Sequence, residues 1–248
     1  MTLRDNCYRF LQFEFKNLDT QDLKDFADSN LSRGKSIHFV AASTVIAIID
    51  DLELISKLNS SILVADSSPL KRYLNLKFSG FNGIRGTDFM REYLASGSRS
   101  YFLIGATTRT TLELVSAIGL VNSGAVCVGV VNPDFKESFE SDVSGWVEAI
   151  VESKANSVWV GMGSPKQDII SLALAEKLEI PVFSVGAAFD FIAGTRTEAP
   201  RALQLLSLEW LFRLLSEPRR LWKRYLFGNF IFLRLIGKDF LEFLSRKS

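Results

Sequence analysis

The chain has 248 residues, room for one large α/β domain or a main domain with a small appendage, and too few for two full domains. With 47% hydrophobic and 23% charged residues, 20 Phe and 4 Trp, it is not a mostly disordered chain. The net charge of +1 excludes a uniformly basic nucleic-acid binder, yet it hides nine Lys or Arg against three Asp or Glu from Arg213 onward.

Residues 1–35 carry charges through every stretch where a signal peptide needs an apolar core, so the protein is expected to stay in the cytoplasm. They read as a helical or irregular segment. Cys7 and Cys127 lie far apart without a CxxC pair, and His38 is the single histidine, so neither a disulfide framework nor a structural zinc site is expected. His38 itself reads as a strand residue packed or hydrogen-bonded locally rather than as a base.

From residue 36 short β-branched runs alternate with longer stretches of helical period. Strands are predicted at Ser36 to Ala42, Ile62 to Ala65, Tyr101 to Ile104, Ala125 to Val131, Ser157 to Val160 and Pro181 to Val185. Between them, Thr44 to Leu58, Thr87 to Ala95, Thr108 to Ile118, Glu137 to Val151 and Lys166 to Leu178 read as helices. The pattern predicts an α/β fold over 36–200, a Rossmann-like, doubly wound, mostly parallel sheet. Residues 201–248 read as a basic, aromatic-rich helical appendage with breaks at Pro218 and Gly228. Its most apolar window, Tyr225 to Ile236, is too short to span a bilayer and contains Arg234.

Several predicted strands end in small or turn-forming residues: Gly105 to Thr108, Asn132-Pro133, Gly161 to Pro165 and Gly186 to Ala188. Ligands of open α/β sheets bind beyond the carboxyl ends of the strands, which makes these loops one candidate site. In Gly161-Met-Gly163-Ser164-Pro165-Lys-Gln167 the glycines permit close backbone approach and the following helix start favours an anion such as a diphosphate. The amide of Gln167 suits a sugar or base. A tight turn with nothing bound is the plain alternative for each loop taken singly.

The segments VWVGMGSPKQD, VFSVGAAFDFIAG, EAPRALQLLSLEWLFRLLSEPRRLWKRYL and RGTDF closely resemble the motifs of the WecG/TagA/CpsF family, glycosyltransferase family 26. The resemblance is strong from Ser157 to Leu226, moderate from Leu63 to Ile104 and faint before residue 60. It implies inverting, metal-independent transfer of a hexose or N-acetylhexosamine unit from a UDP-sugar to a polyprenyl-diphosphate-linked acceptor. The setting it implies is cell-surface polysaccharide or teichoic acid synthesis, at the inner face of the cell membrane and without a cofactor. The sequence has no Asp-x-Asp pair of the kind that holds a divalent cation on a diphosphate.

By the same resemblance Asp66, in LVADSSP, is the general base for the acceptor hydroxyl. Gly105, Thr107, Gly161, Gly163, Ser164, Gln167, Gly186 and Asp190 would line the nucleotide-sugar crevice, while Arg213, Arg220 and Arg224 would clamp phosphate. The sequence departs from the family in three places. The glycine after the base is Ser67, the family's Thr-x-Asn has no counterpart in residues 38–43, and the arginine of its Arg-x-x-Gly-Ser/Thr-Asp motif falls on Gly83, with Arg85 the neighbouring cation. These departures keep open a nucleotide-binding or scaffold subunit that has lost turnover. A dinucleotide oxidoreductase ranks lower, since no strand is followed by GxGxxG with an acidic residue about 20 positions on. Arginines interleaved with Trp, Tyr and Phe in the appendage favour a membrane surface over nucleic acid, and its apolar stripes also suit a homo-oligomer.

Overall fold

In a computed structural model of the chain, residues 7–66, 68–133, 143–206 and 208–245 are described, without the side chains of 205, 220 and 223–226. The first ten of these form a hairpin, β1 (Cys7–Phe10) and β2 (Phe13–Lys16), turned at Leu11 with φ 51°. Residues 1–35 were expected to hold no strand. These strands are only four residues long with Arg9, Glu14 and Lys16 among them, so their period-two signal is weak. Phe10, Phe13 and Phe15 are nevertheless fully buried. Helix α1 (Thr20–Asp28) follows, started by a capping box between Asp19 and Asp22.

The remaining order is β3 (Ser36–Val40), α2 (Ala42–Ile48), α3 (Leu52–Asn59), β4 (Ile62–Ala65), α4 (Ser68–Lys77), α5 (Gly86–Leu94), β5 (Arg99–Gly105), α6 (Thr108–Val121), β6 (Ala125–Val131), α7 (Val143–Ser153), β7 (Ser157–Gly161), α8 (Lys166–Ala175), β8 (Val182–Ser184), α9 (Ala188–Ile192), α10 (Arg201–Leu205), α11 (Glu209–Ser216) and α12 (Pro218–Ser245). The helix expected from Thr44 to Leu58 is two helices. Asp51 divides them, its carboxylate accepting from Leu54 N–H at 2.9 Å as the cap of α3. Residues 137–142 of the helix expected from Glu137 lie outside the described residues.

The sheet has eight strands in the order β1-β2-β4-β3-β8-β7-β5-β6 among the described residues, all parallel except β1. It is the expected doubly wound α/β sheet. Successive strand side chains point to opposite faces, and both faces are covered. Ile37, Phe39, Tyr101, Leu103, Trp159 and Phe183 meet α1, α5, α6 and α9 in one core layer. Val40, Leu63 and Ala65 meet α2, α3, α4 and α12 on the other face, and Phe102, Ile104, Val158, Val160 and Val182 meet α7 and α8 beside them.

Between those last two groups His38 is wholly buried, its Nδ1 2.8 Å from Asp168 Oδ1 and its Nε2 2.7 Å from Ser36 Oγ. Ser184 donates to the same Asp168 oxygen at 2.9 Å. The histidine is thus a locally bonded strand residue that ties β3 to α8.

The C-terminal helices are built onto this sheet. Helix α12 starts at Pro218 and runs unbroken through Gly228, where a break was expected; Gly228 faces α2, and a Cβ there would lie 3.7 Å from Ile46 Cδ1. Phe232 joins the core layer beside Phe10. Farther on, Asp239 accepts from Leu11 N–H and pairs with Lys77. No helix among the described residues is long and apolar enough to cross a membrane.

Candidate active site

The carboxyl ends of β4, β3, β8, β7 and β5 form one rim. Asp66 follows β4 directly, held by its own N–H on Val40 O at 3.0 Å. Its Oδ1 accepts from Gly86 N–H, the first amide of α5, at 2.7 Å. Burial pushes the carboxyl up to about 6, against the lowering effects of the Gly86 N–H and the Arg85 cation; Glu209 and Asp88 push it the same way as burial. A half-buried carboxylate of that strength is ionised at neutral pH and still basic enough to take a proton from a hydroxyl in a transition state.

Gly86 also abuts the end of β8, for a Cβ on it would meet Val185 O at 3.4 Å. Next along the rim is Gly186, at φ +60°, where a Cβ would lie 3.7 Å from Gln167 Nε2. Gln167 is buried and turns back onto its own loop, its Oε1 accepting from Gly163 N–H at 2.9 Å. Ser164 in turn shares a 3.0 Å hydrogen bond with Thr44 of α2. Asp66, Gly186, Gln167, Gly163 and Ser164 are therefore linked in one continuous arc.

Gly105 and Gly161 sit side by side where β5 and β7 pair and their following helices leave to opposite faces, the switch point of this sheet. Gly105 has φ +115° and a Cβ on it would lie 2.6 Å from Gly161 O; one on Gly161 would strike the Phe189 ring at 2.8 Å. Neither position accepts a side chain. Asn132, at the end of β6, donates from Nδ2 to Gly105 O at 2.9 Å and fastens this corner. Asn132-Pro133 was among the strand-end loops expected at the site, but the side chain of Asn132 was not singled out, and its hold on Gly105 is visible only in the fold.

Other expected ligand groups are engaged within the protein. Thr107 caps α6, accepting from Thr110 N–H at 3.2 Å. Asp190 pairs with Arg196 at 3.1 Å and accepts from Thr195 Oγ1 at 3.3 Å. Arg213 stacks over Phe191, its guanidinium carbon 5.4 Å from the ring centre. It lines a cleft of about 340 Å³ with Phe191, Thr195, Arg196, Thr197, Ser216 and Glu217. Residues 220 and 224 belong to α12, but the side chains of Arg220 and Arg224 lie outside the described residues.

Gly83 explains itself sterically. A Cβ there would meet Ala65 O at 2.7 Å and Lys71 Cδ at 2.9 Å, because this turn runs against the end of β4. Arg85 points into a ring of acceptors instead: Asp88 at 3.1 Å, Glu198 at 2.7 Å and Gln204 at 3.0 Å, with Glu209 at 3.5 Å. Among the described residues no group of three or more His, Cys, Asp or Glu side chains is arranged to hold a metal ion. Compared with protein-family models, the chain matches the Glycosyl transferase WecG/TagA/CpsF family over residues 8–246.

Proposed function

Because the chain belongs to the WecG/TagA/CpsF glycosyltransferase family, we propose that it moves a hexose or N-acetylhexosamine unit, with inversion, from a UDP-sugar to a polyprenyl-diphosphate-linked sugar at a membrane surface. In this reading the Asp66 carboxylate takes the proton of the acceptor hydroxyl as that oxygen attacks the anomeric carbon from the face opposite UDP. The bond from the anomeric carbon to the diphosphate oxygen breaks, and UDP leaves with the electron pair. The loops at Gly105, Gly161, Gly163 and Gly186 would lie against the nucleotide sugar. Arg213, with Arg220 and Arg224, would take up the charge developing on the diphosphate, the contribution a cation makes where no metal ion acts. Gln167, Ser164, Thr107 and Asp190 would shape the crevice by holding its loops.

The observation that carries the proposal is Asp66: a carboxylate at a strand end, oriented by the Gly86 N–H, raised to about 6, and on the same arc as the glycine loops. UDP release from a panel of UDP-sugars, with a polyprenyl-diphosphate-linked sugar as acceptor, tests it in the wild type and in Asp66→Asn. Turnover by the wild type and its loss in the variant support the assignment. Robust turnover by Asp66→Asn removes Asp66 as the base.

A second reading, a subunit that binds nucleotide and has lost turnover, is favoured by one observation. Arg85 is engaged by four protein groups, so the cation nearest the family's arginine position is not free for substrate. Binding of UDP with no turnover of any donor would establish that reading.

A further inference from the structure

We infer that Arg85 is a positioning residue that fastens the C-terminal helices to the turn holding Asp66, so that seating those helices and setting the base are one event. The inference rests on the reading of Asp66 as base. Arg85 stands at the residue before α5, and the next residue, Gly86, gives the N–H that orients the Asp66 carboxylate at 2.7 Å. The partners of its guanidinium come from four places in the chain: Asp88 from α5, Glu198 from the stretch after α9, Gln204 from α10 and Glu209 from α11. Three of the four lie 113 to 124 residues away, in the segment that leads into or forms the appendage.

The contact is built rather than incidental. The Arg85 side chain is 16% exposed, and its partners are fixed in turn. Glu198 also accepts from Arg91 at 2.7 Å, Gln204 donates to Ala199 O at 2.7 Å, and Arg201 reaches both Asp88 and Gln204 at 3.1 Å. The charges that act on Asp66 directly are Arg85 before α5, Asp88 from α5 and Glu209 from α11, and the cluster joined to them adds Arg91 from α5, Glu198, and Arg201 from α10. Four carboxylates, Asp66 included, face three guanidiniums. One of the four, Glu209, is carried by α11.

This gives the coupling a sign. When α11 is seated, Glu209 shares the Arg85 cation and adds a negative charge near Asp66, which makes Asp66 a stronger base. When α11 lifts, that negative charge is withdrawn, the Arg85 cation, still held by Asp88, Glu198 and Gln204, is less neutralised beside Asp66, and the base weakens. Seating of the appendage is thus transmitted to the chemistry through one guanidinium, and a binding event at the appendage would be felt at the base.

The test is the acid limb of kcat/KM for glycosyl transfer, measured on the full chain. Glu209→Gln is expected to move the limb to lower pH, because a negative neighbour is lost. Arg85→Met is expected to move it to higher pH, because the cation is lost, and Arg85→Lys to bring it back towards the wild-type position. A purely structural role would lower the rate without moving the limb in opposite directions. Limbs that stay in place, or move together, overturn the inference. Should Arg85→Met fail to fold, as judged by its melting curve, the limb of Glu209→Gln decides alone: a shift to lower pH supports the coupling and an unmoved limb overturns it.

A second readout separates this inference from the assignment of the base. Amide hydrogen exchange across α10 and α11 is expected to quicken in Arg85→Met, or in Glu209→Gln where the former does not fold. Unchanged exchange overturns the fastening role even where Asp66→Asn is inactive. Activity retained by Asp66→Asn with quickened exchange removes the base and with it the coupling, and leaves only a fastening contact.

Discussion

Asp239, nine residues from the C-terminus, is paired with Lys77 at 2.6 Å, and both side chains are almost wholly buried. The same carboxylate accepts from Leu11 N–H at 2.7 Å and from the Tyr73 hydroxyl. One side chain thus joins the end of α12 to the N-terminal hairpin and to α4. The appendage is therefore part of the folded body at its far end, and its exposed apolar residues are presented from a fixed base.

Asp239→Ala is expected to cost about 3–5 kcal/mol in urea unfolding, because it leaves the Lys77 ammonium buried without its partner and orphans the Leu11 N–H. Asp239→Asn, which keeps an acceptor, should cost less. A loss below about 1 kcal/mol for the alanine variant would show that water reaches Lys77 and that the far end of α12 is only loosely seated.

Asp66→Asn should abolish most transfer, by about 100- to 10,000-fold, the range of general-base catalysis. It should also raise the melting temperature. An acid whose folded pKa is raised, here from 3.8 to about 6, destabilises the folded state wherever it is ionised in the unfolded chain. The gain from the substitution should be full above about pH 6 and fade as pH falls towards 4. Melting curves at pH 7.5 and pH 4.5 measure it, and an equal gain at both would mean that ionisation of Asp66 is not its source.

The same elevation sets the pH dependence of the wild type. The ionised carboxylate is the active form, so kcat/KM should fall tenfold per pH unit below about 6 and level off above it. A limb near pH 4 instead would place the working base in a more solvated setting than that of Asp66.

Glycines at the switch point separate two effects. Gly105→Ala puts a Cβ 2.6 Å from Gly161 O at φ +115° and should destabilise by about 2–4 kcal/mol. Gly163→Ala meets open space at φ +81° and should cost only about 1 kcal/mol. If the Gly163 loop lies against the diphosphate, that mild variant should still weaken UDP binding by about 1.5 kcal/mol, roughly tenfold in Kd. Calorimetric titration with UDP measures this, and unchanged affinity would remove Gly163 from the crevice.

These contrasts show what the sequence reveals and what it hides. The parallel strands were legible because a strand covered on both faces is a continuous apolar run such as Ile62 to Ala65 or the Val158 to Val160 stretch of β7. Gly105 and Gly161 were legible as a close approach because no other residue fits there. The hairpin at residues 7–16 was not, since each strand has only four residues and charges at the outward positions. The Arg85 cluster was hidden for another reason: its partners at Glu198, Gln204 and Glu209 are brought to it only by the fold. Thr107 and Asp190 look like ligand groups in the sequence, but in the fold their oxygens are already bonded to Thr110 and Thr195.

The outer face of α12 carries the last prediction. Phe227, Phe230, Leu233 and Leu241 are each more than 60% exposed, while Leu221, Phe232 and Asp239 on the opposite face are buried. At 100° per residue these two sets fall on opposite sides of the helix, with Arg234 among the exposed set and Lys238 along one edge of it. Exposed apolar side chains with cations among them and at one edge suit a helix lying in the interface of an anionic bilayer. Phe227→Ser with Phe230→Ser should therefore weaken binding to anionic vesicles by at least about tenfold, since burying one Phe is worth about 1.5–3 kcal/mol. Neither change touches the buried face, so the melting temperature should hold. Added salt should weaken the wild type as well, each basic residue near the surface contributing about 1 kcal/mol. Equal binding of wild type and variant to such vesicles, with a self-association in sedimentation that the variant loses, would assign the face to a second copy of the chain instead of lipid.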